Sequence, residues 1–306
     1  MPTARIGTVT IAYDDTGGDG PPVVLAHGFL MDRTMFAPQV AALRDRYRVV
    51  TWDQRGFGDT VTDGGPFTYW DSAQDLLGLM DHLGIDRAVL GGMSQGGFVS
   101  LRSALLAPGR VRGLVLLDTQ AGTEDAEAVP LYAGMIDEWV DQGPSDALAD
   151  VTASLIIGDP DLSAHWTAVW TSRPQELLRQ PGRTLLERDS IVDRLVEITA
   201  PAVVVHGSAD AAISMDKAEA LAAGLVGCPG VVVVEGGTHA ANLTHPGPTN
   251  EAITAFLDGL PDLGVGDRSR RGGGVGAQPE YAPDAATGRV RWIPVNVTDP
   301  PSWGGA

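Results

Sequence analysis

The segment Gly92-Met93-Ser94-Gln95-Gly96 follows the apolar run Ala88-Val89-Leu90 and precedes a helical stretch, a setting in which a serine can serve as nucleophile. Glycine two residues to either side of the serine lets a strand and a helix approach closely around a sharp turn, with the hydroxyl at its apex. A serine that attacks a carbonyl needs a base to take its proton, an acid to orient that base, and N–H donors for the oxyanion. Two downstream segments offer such partners just past apolar runs. His206-Gly207-Ser208-Ala209-Asp210 follows Ala202 to Val205, making Asp210 the candidate acid, and Glu235-Gly236-Gly237-Thr238-His239 follows Val231 to Val234, making His239 the candidate base. Five other histidines compete with His239. His245 stands just before Pro246 at an expected helix start and reads as structural. His27 and His206 each precede a glycine at a strand end and read as loop braces. His82 near a helix end and His165 in the central segment have no catalytic partner in sequence.

The elements that must position these groups are legible from periodicity. Val9 to Tyr13, Val23 to Ala26, Arg48 to Trp52, Ala88 to Leu90 and Leu114 to Leu117 read as short strands, separated by helical stretches at Phe36 to Leu43, Trp70 to Leu83 and Gly97 to Leu106. Short apolar strands alternating with helices predict an α/β fold whose mostly parallel sheet is covered on both faces. From 119 to 199 the pattern is helical, carries Trp139, Trp166 and Trp170, and reads as an inserted cap. Strands resume at Ala202 to Val205 and Val231 to Val234, with helices at Met215 to Leu225 and Thr249 to Leu260. The expected core is therefore 1–118 with 200–260. From 261 to 306 the chain turns rich in Gly, Pro, Arg and Asp, including Arg268-Ser269-Arg270-Arg271, and is expected to be a disordered, solvated tail.

Composition narrows the function classes. The chain has 306 residues, 43% of them hydrophobic, enough for a sizeable core. Its 21 basic and 39 acidic side chains leave a net charge of −18, which repels phosphate backbones and anionic membrane surfaces, so neither nucleic acid nor membrane is an expected partner. The single Cys228 forms no intrachain disulfide, and no Cys/His cluster has metal-binding spacing. No signal-peptide core and no membrane-length apolar run is present, which predicts a cytoplasmic protein with no metal and no cofactor.

With Ser94, Asp210 and His239 in that order, residues 4 to 260 resemble the α/β-hydrolase fold family, in particular small bacterial esterases, 3-oxoadipate enol-lactonases and cofactor-free haloperoxidases. The likeness extends to His27-Gly28-Phe29-Leu30 and to Asp53-Gln54-Arg55-Gly56-Phe57-Gly58, each after a strand. The resemblance implies an eight-stranded type of sheet, and a triad in which Ser94 attacks, His239 shuttles the proton and Asp210 holds the imidazole. It also implies an oxyanion hole from the backbone N–H groups of Phe29 and Gln95. Asp118, ending the strand Leu114 to Leu117, occupies a position where some members place the acid and is the alternative to Asp210. Asp53 and Arg55 are implied to be structural, in an internal ion pair or turn network.

The expected substrate is a small-molecule ester or lactone. Leu30, Trp139, Trp166 and Trp170, with Tyr132 and Met135, are candidates for an apolar pocket, the alternative being that the aromatic residues form the cap's own core. Two rival functions are carbon–carbon cleavage of a diketone by the same groups and non-hydrolytic ligand binding on the same scaffold. Epoxide hydrolase and haloalkane dehalogenase chemistry is disfavoured, because those relatives carry aspartate where this chain has Ser94. Natural substrate and oligomeric state are not legible.

Overall fold

The computed structural model describes residues 1–261 and 290–295. Nine strands form one sheet: β1 (Thr3–Ile6), β2 (Val9–Asp15), β3 (Pro22–Ala26), β4 (Arg48–Trp52), β5 (Ala88–Met93), β6 (Val111–Leu117), β7 (Ala202–Gly207), β8 (Gly230–Val234) and β9 (Val290–Pro294). Their order is β1-β2-β4-β3-β5-β6-β7-β8-β9. Strands β3 to β8 run parallel, while β1, β2 and β9 pair antiparallel at the two edges.

The alternation of side chains along each strand divides the core in two. Val24, Ala26 and Leu90 face a layer built by α2 (Tyr69–His82), α3 (Gln95–Leu106) and α8 (Met215–Gly224). Val23, Leu25 and Val89 face the opposite layer, with α1 (Ala37–Leu43), α9 (Ala241–Thr244) and α10 (Pro246–Gly259). Because both faces are buried, the strands read as nearly continuous apolar runs.

Between β6 and β7 the chain forms four further helices: α4 (Val129–Gln142), α5 (Asp146–Ile156), α6 (Pro160–Thr171) and α7 (Arg179–Leu186). Each of the middle two starts on a side chain that accepts a helix N–H, Ser145 from Leu148 and Asp159 from Leu162. No helix among the described residues is long and apolar enough to cross a membrane.

The tail expected to be disordered contains an ordered strand. β9 adds a ninth strand to the eight that the resemblance implies, pairing from Gly230↔Pro294 to Val234↔Val290. Residues 262–289, including the arginine cluster, and 296–306 lie outside the described residues. β1, a four-residue edge strand, is likewise absent from the sequence reading. β1 is too short and too polar for a strand signal to stand out, and β9, no shorter than β3, β4 or β8, is half-buried and interrupted by Arg291 instead of forming a continuous apolar run.

Candidate active site

Ser94 sits between β5 and α3 with φ 52° and ψ −117°, a backbone conformation L residues rarely adopt. Holding it there costs on the order of 1–3 kcal/mol, which the surroundings must overcome. The Ser94 N–H donates to the Leu117 carbonyl at 2.9 Å, and its own carbonyl accepts from Thr119 Oγ1 at 2.7 Å and from the Gly97 N–H at 2.8 Å. The flanking glycines are required by contact. A Cβ on Gly96 would lie 1.8 Å from the Ala26 carbonyl oxygen, and one on Gly92 would lie 2.4 Å from the Gly96 carbonyl carbon. Among the described residues, the non-glycine residues with positive φ are Leu30, Ser94 and Asp118. They end or follow β3, β5 and β6, so the backbone strain gathers at the carboxyl edge of the sheet.

Parallel strands bring the other groups to that same edge. Asp210 follows β7 and His239 follows β8; His239 Nδ1 and Asp210 Oδ2 are 2.8 Å apart. Asp210 Oδ1 accepts from the Ala212 and Ile213 N–H groups at 2.8 and 2.9 Å, which locks the carboxylate plane. Burial works to raise the Asp210 pKa, but His239, His206 and the backbone donors together hold it below the ordinary carboxylate value. A carboxylate that stays ionised and accepts from Nδ1 leaves Nε2 of the imidazole free to act as a base. Ser94 and His239 line one cavity, together with Phe29 and Leu30.

Phe29 lies in a turn closed by the Met31 N–H donating to the Gly28 carbonyl at 3.1 Å. Gln95 is the first residue of α3, where a helix leaves its N–H groups without intrahelical acceptors. His27 braces this region. Its Nε2 accepts from the Gln54 N–H at 2.9 Å, so the proton resides on Nδ1, which donates to the Gly28 carbonyl at 2.7 Å.

Asp118 does not take the acid's place against the imidazole: its Oδ1 accepts from the Gly207 N–H at 2.8 Å. Burial, reinforced by the neighbouring Asp210 charge, pushes its pKa well above the ordinary value. His206 lies beside both acids, donating from Nε2 to the Ile213 carbonyl at 2.9 Å, and burial lowers its pKa. Ligand atoms of Asp118, His206 and Asp210 fall within 4.8 Å of one another, the only such three-residue group found among the described residues. Most of their polar atoms are already engaged by backbone groups and His239, which makes the cluster a hydrogen-bonded scaffold under the imidazole. Asp53 and Arg55 each sit in an ion pair, though not with one another: Asp53 pairs with the Arg33 guanidinium and accepts from the Arg33 and Asp59 backbone N–H groups, and Arg55 forks onto Asp75.

The pocket candidates separate. Leu30, Tyr132, Met135 and Trp139 line the cavity. Trp166 does not; it is buried in the cap beside His165. Trp170 packs edge-on against Trp139 at 6.1 Å and lines a neighbouring cleft with Arg173 instead. Helical spacing alone could not say which ring faces inward. The sequence reading also missed Phe98 on α3 and Glu124 in the loop before α4, both of which line the cavity. Glu124 is held by Arg188, and no local pattern links residues that far apart.

The sequence profile described as alpha/beta hydrolase fold matches residues 21–246. A putative non-heme chloroperoxidase from Synechocystis is 28% identical, the match covering 84% of this chain and 100% of that protein. A thermophilic esterase from Thermogutta terrifontis superposes with a TM-score of 0.77 at 30% identity, covering 84% of this chain and 98% of that one. The enol-lactonase from Burkholderia xenovorans superposes with a TM-score of 0.76 at 27% identity, covering 84% and 99%.

Proposed function

The chain belongs to the α/β-hydrolase fold family, and from that premise we propose that it cleaves a carboxylic ester or lactone through an acyl-enzyme formed on Ser94. The observation that carries this reading is the 2.8 Å contact of His239 Nδ1 with Asp210, made by an imidazole that lines the same cavity as the strained Ser94. The esterase and enol-lactonase structures similar to this chain point to the same bond class.

Ser94 Oγ attacks the carbonyl carbon while His239 Nε2 takes its proton, and Asp210 stabilises the resulting imidazolium. The carbonyl oxygen becomes an oxyanion held by the N–H groups of Phe29 and Gln95. Each such donor is worth roughly a hundredfold to a thousandfold in turnover. Collapse of the tetrahedral adduct expels the alkoxide, which the imidazolium protonates. Water, deprotonated by the same nitrogen, then attacks the acyl-enzyme and releases the acid and free Ser94.

Intact-mass analysis after incubation with a fluorophosphonate tests this reading. A single adduct on the wild type, absent in Ser94→Ala and greatly slowed in His239→Ala, is expected. Folded wild-type protein that forms no adduct and turns over no ester would overturn it in favour of ligand binding without chemistry.

A further inference from the structure

The cavity over Ser94 is walled mainly by carbon, from residues such as Leu30, Phe98, Met135, Trp139 and Ile156. Among the described residues that line it there is no Arg or Lys, and Glu124 supplies its one carboxylate. Glu124 Oε1 meets Arg188 Nη1 at 2.9 Å, with the two side chains 11% and 1% exposed. The guanidinium also donates to the Gly122 and Leu185 carbonyls and lies 4.5 Å from the centroid of the Phe98 ring. Arg188 lines a separate cleft, with Thr68, Trp70 and Asp189. Glu124 thus lines the cavity over Ser94, whereas its partner Arg188 is not among the residues lining that cavity and sits behind Phe98 and Leu185 in its wall.

Resting on the hydrolase reading above, we propose that the cavity selects substrates whose held portion is uncharged and mainly apolar, and that Glu124 is the specificity-determining residue that rejects those carrying a carboxylate. A carboxylate entering this cavity would lose its hydration, find no lysine or arginine, and face Glu124. Such exclusion is the repulsive half of specificity, acting beside the apolar contacts that favour a hydrocarbon group.

The experiment compares kcat/KM for ethyl butyrate and monoethyl succinate, acyl chains alike in length that differ in a terminal methyl against a carboxylate, the poor ethoxide leaving group keeping the succinate's own carboxylate from attacking its ester. The wild type is expected to favour the butyrate by about a hundredfold or more. The ratio should persist between about 0.05 and 0.5 M salt, because a contact inside a cavity is poorly screened. Glu124→Gln should narrow it about tenfold, since the unpaired Arg188 then favours an anion nearby. Because that variant leaves a buried guanidinium unpaired, the double variant Glu124→Leu/Arg188→Met, which removes the pair as a unit, provides a second comparison and should narrow the ratio as well. Equal use of the two esters by the wild type would overturn the proposal. So would a ratio that vanishes with salt, which would trace it to the long-range field of a chain of net charge −18, or folded variants with an unchanged ratio. A Ser94 adduct with equal turnover of both esters brings down this proposal alone, whereas no adduct and no turnover brings down the hydrolase reading with it.

Discussion

Ser94 carries the chemistry proposed here because its neighbours hold it where a serine would not settle unaided. Ser94→Ala should reduce ester turnover to background while leaving the circular dichroism spectrum and melting temperature close to wild type. Gly96→Ala is expected to do the reverse damage: the added Cβ would lie 1.8 Å from the Ala26 carbonyl, so thermal unfolding should reveal a loss of at least about 1–3 kcal/mol. The two acids at the site can be told apart by amide substitution. Asp210→Asn should lower kcat by about three to four orders of magnitude, as the imidazole loses its orienting carboxylate. Asp118→Asn keeps an oxygen for the Gly207 N–H and should stay within about threefold of wild type. A severe loss in Asp118→Asn with little effect of Asp210→Asn would exchange their roles.

At the scale of elements, β8 is covered on its outer side by β9, through residues distant in sequence from the core. Without β9, β8 would present a row of unpaired N–H and C=O groups along Gly230–Val234, in which every residue is buried. A chain truncated after residue 260 should melt at a lower temperature and show concentration-dependent self-association by light scattering, with the active-site geometry retained. A truncated chain that stays monomeric and equally stable would show that β9 contributes little to edge protection. The same scale explains which parts of the site were legible. The runs Ala88 to Leu90, Ala202 to Val205 and Val231 to Val234 are buried on both faces, so apolar runs closed by Gly-containing segments disclosed both the strands and the loops that carry Ser94, Asp210 and His239. β9 gave no such signal, since its pattern of half-buried and exposed residues arises from pairing with a distant partner.

For the whole molecule, proton linkage joins the site to stability. Asp118 has a raised pKa in the folded state, so the folded chain keeps this proton at pH values where the unfolded chain has released it. Its stabilising effect is complete below the ordinary carboxylate pKa of about 4 and is lost as pH climbs toward the raised value. Asp210 works with the opposite sign: its lowered pKa contributes stability above that ordinary value, which is lost on acidification. Asp118→Asn should therefore melt at a temperature that gains on wild type as pH rises from about 4 to 8, as followed by scanning calorimetry. A constant difference across that range would show that Asp118 titrates normally. What the sequence by itself determined was the alternation of strands and helices, the turn around Ser94 and the loops that carry the candidate acids and base, because each rests on local spacing and on strands buried along their whole length. The tertiary structure alone decided that Asp210 rather than Asp118 meets the imidazole, that Trp139 faces the cavity while Trp166 does not, that Arg188 holds Glu124 at its wall, and that a distant segment closes the sheet. Each of these is a contact between residues far apart in the chain, set by how the layers pack and not by any period along the sequence.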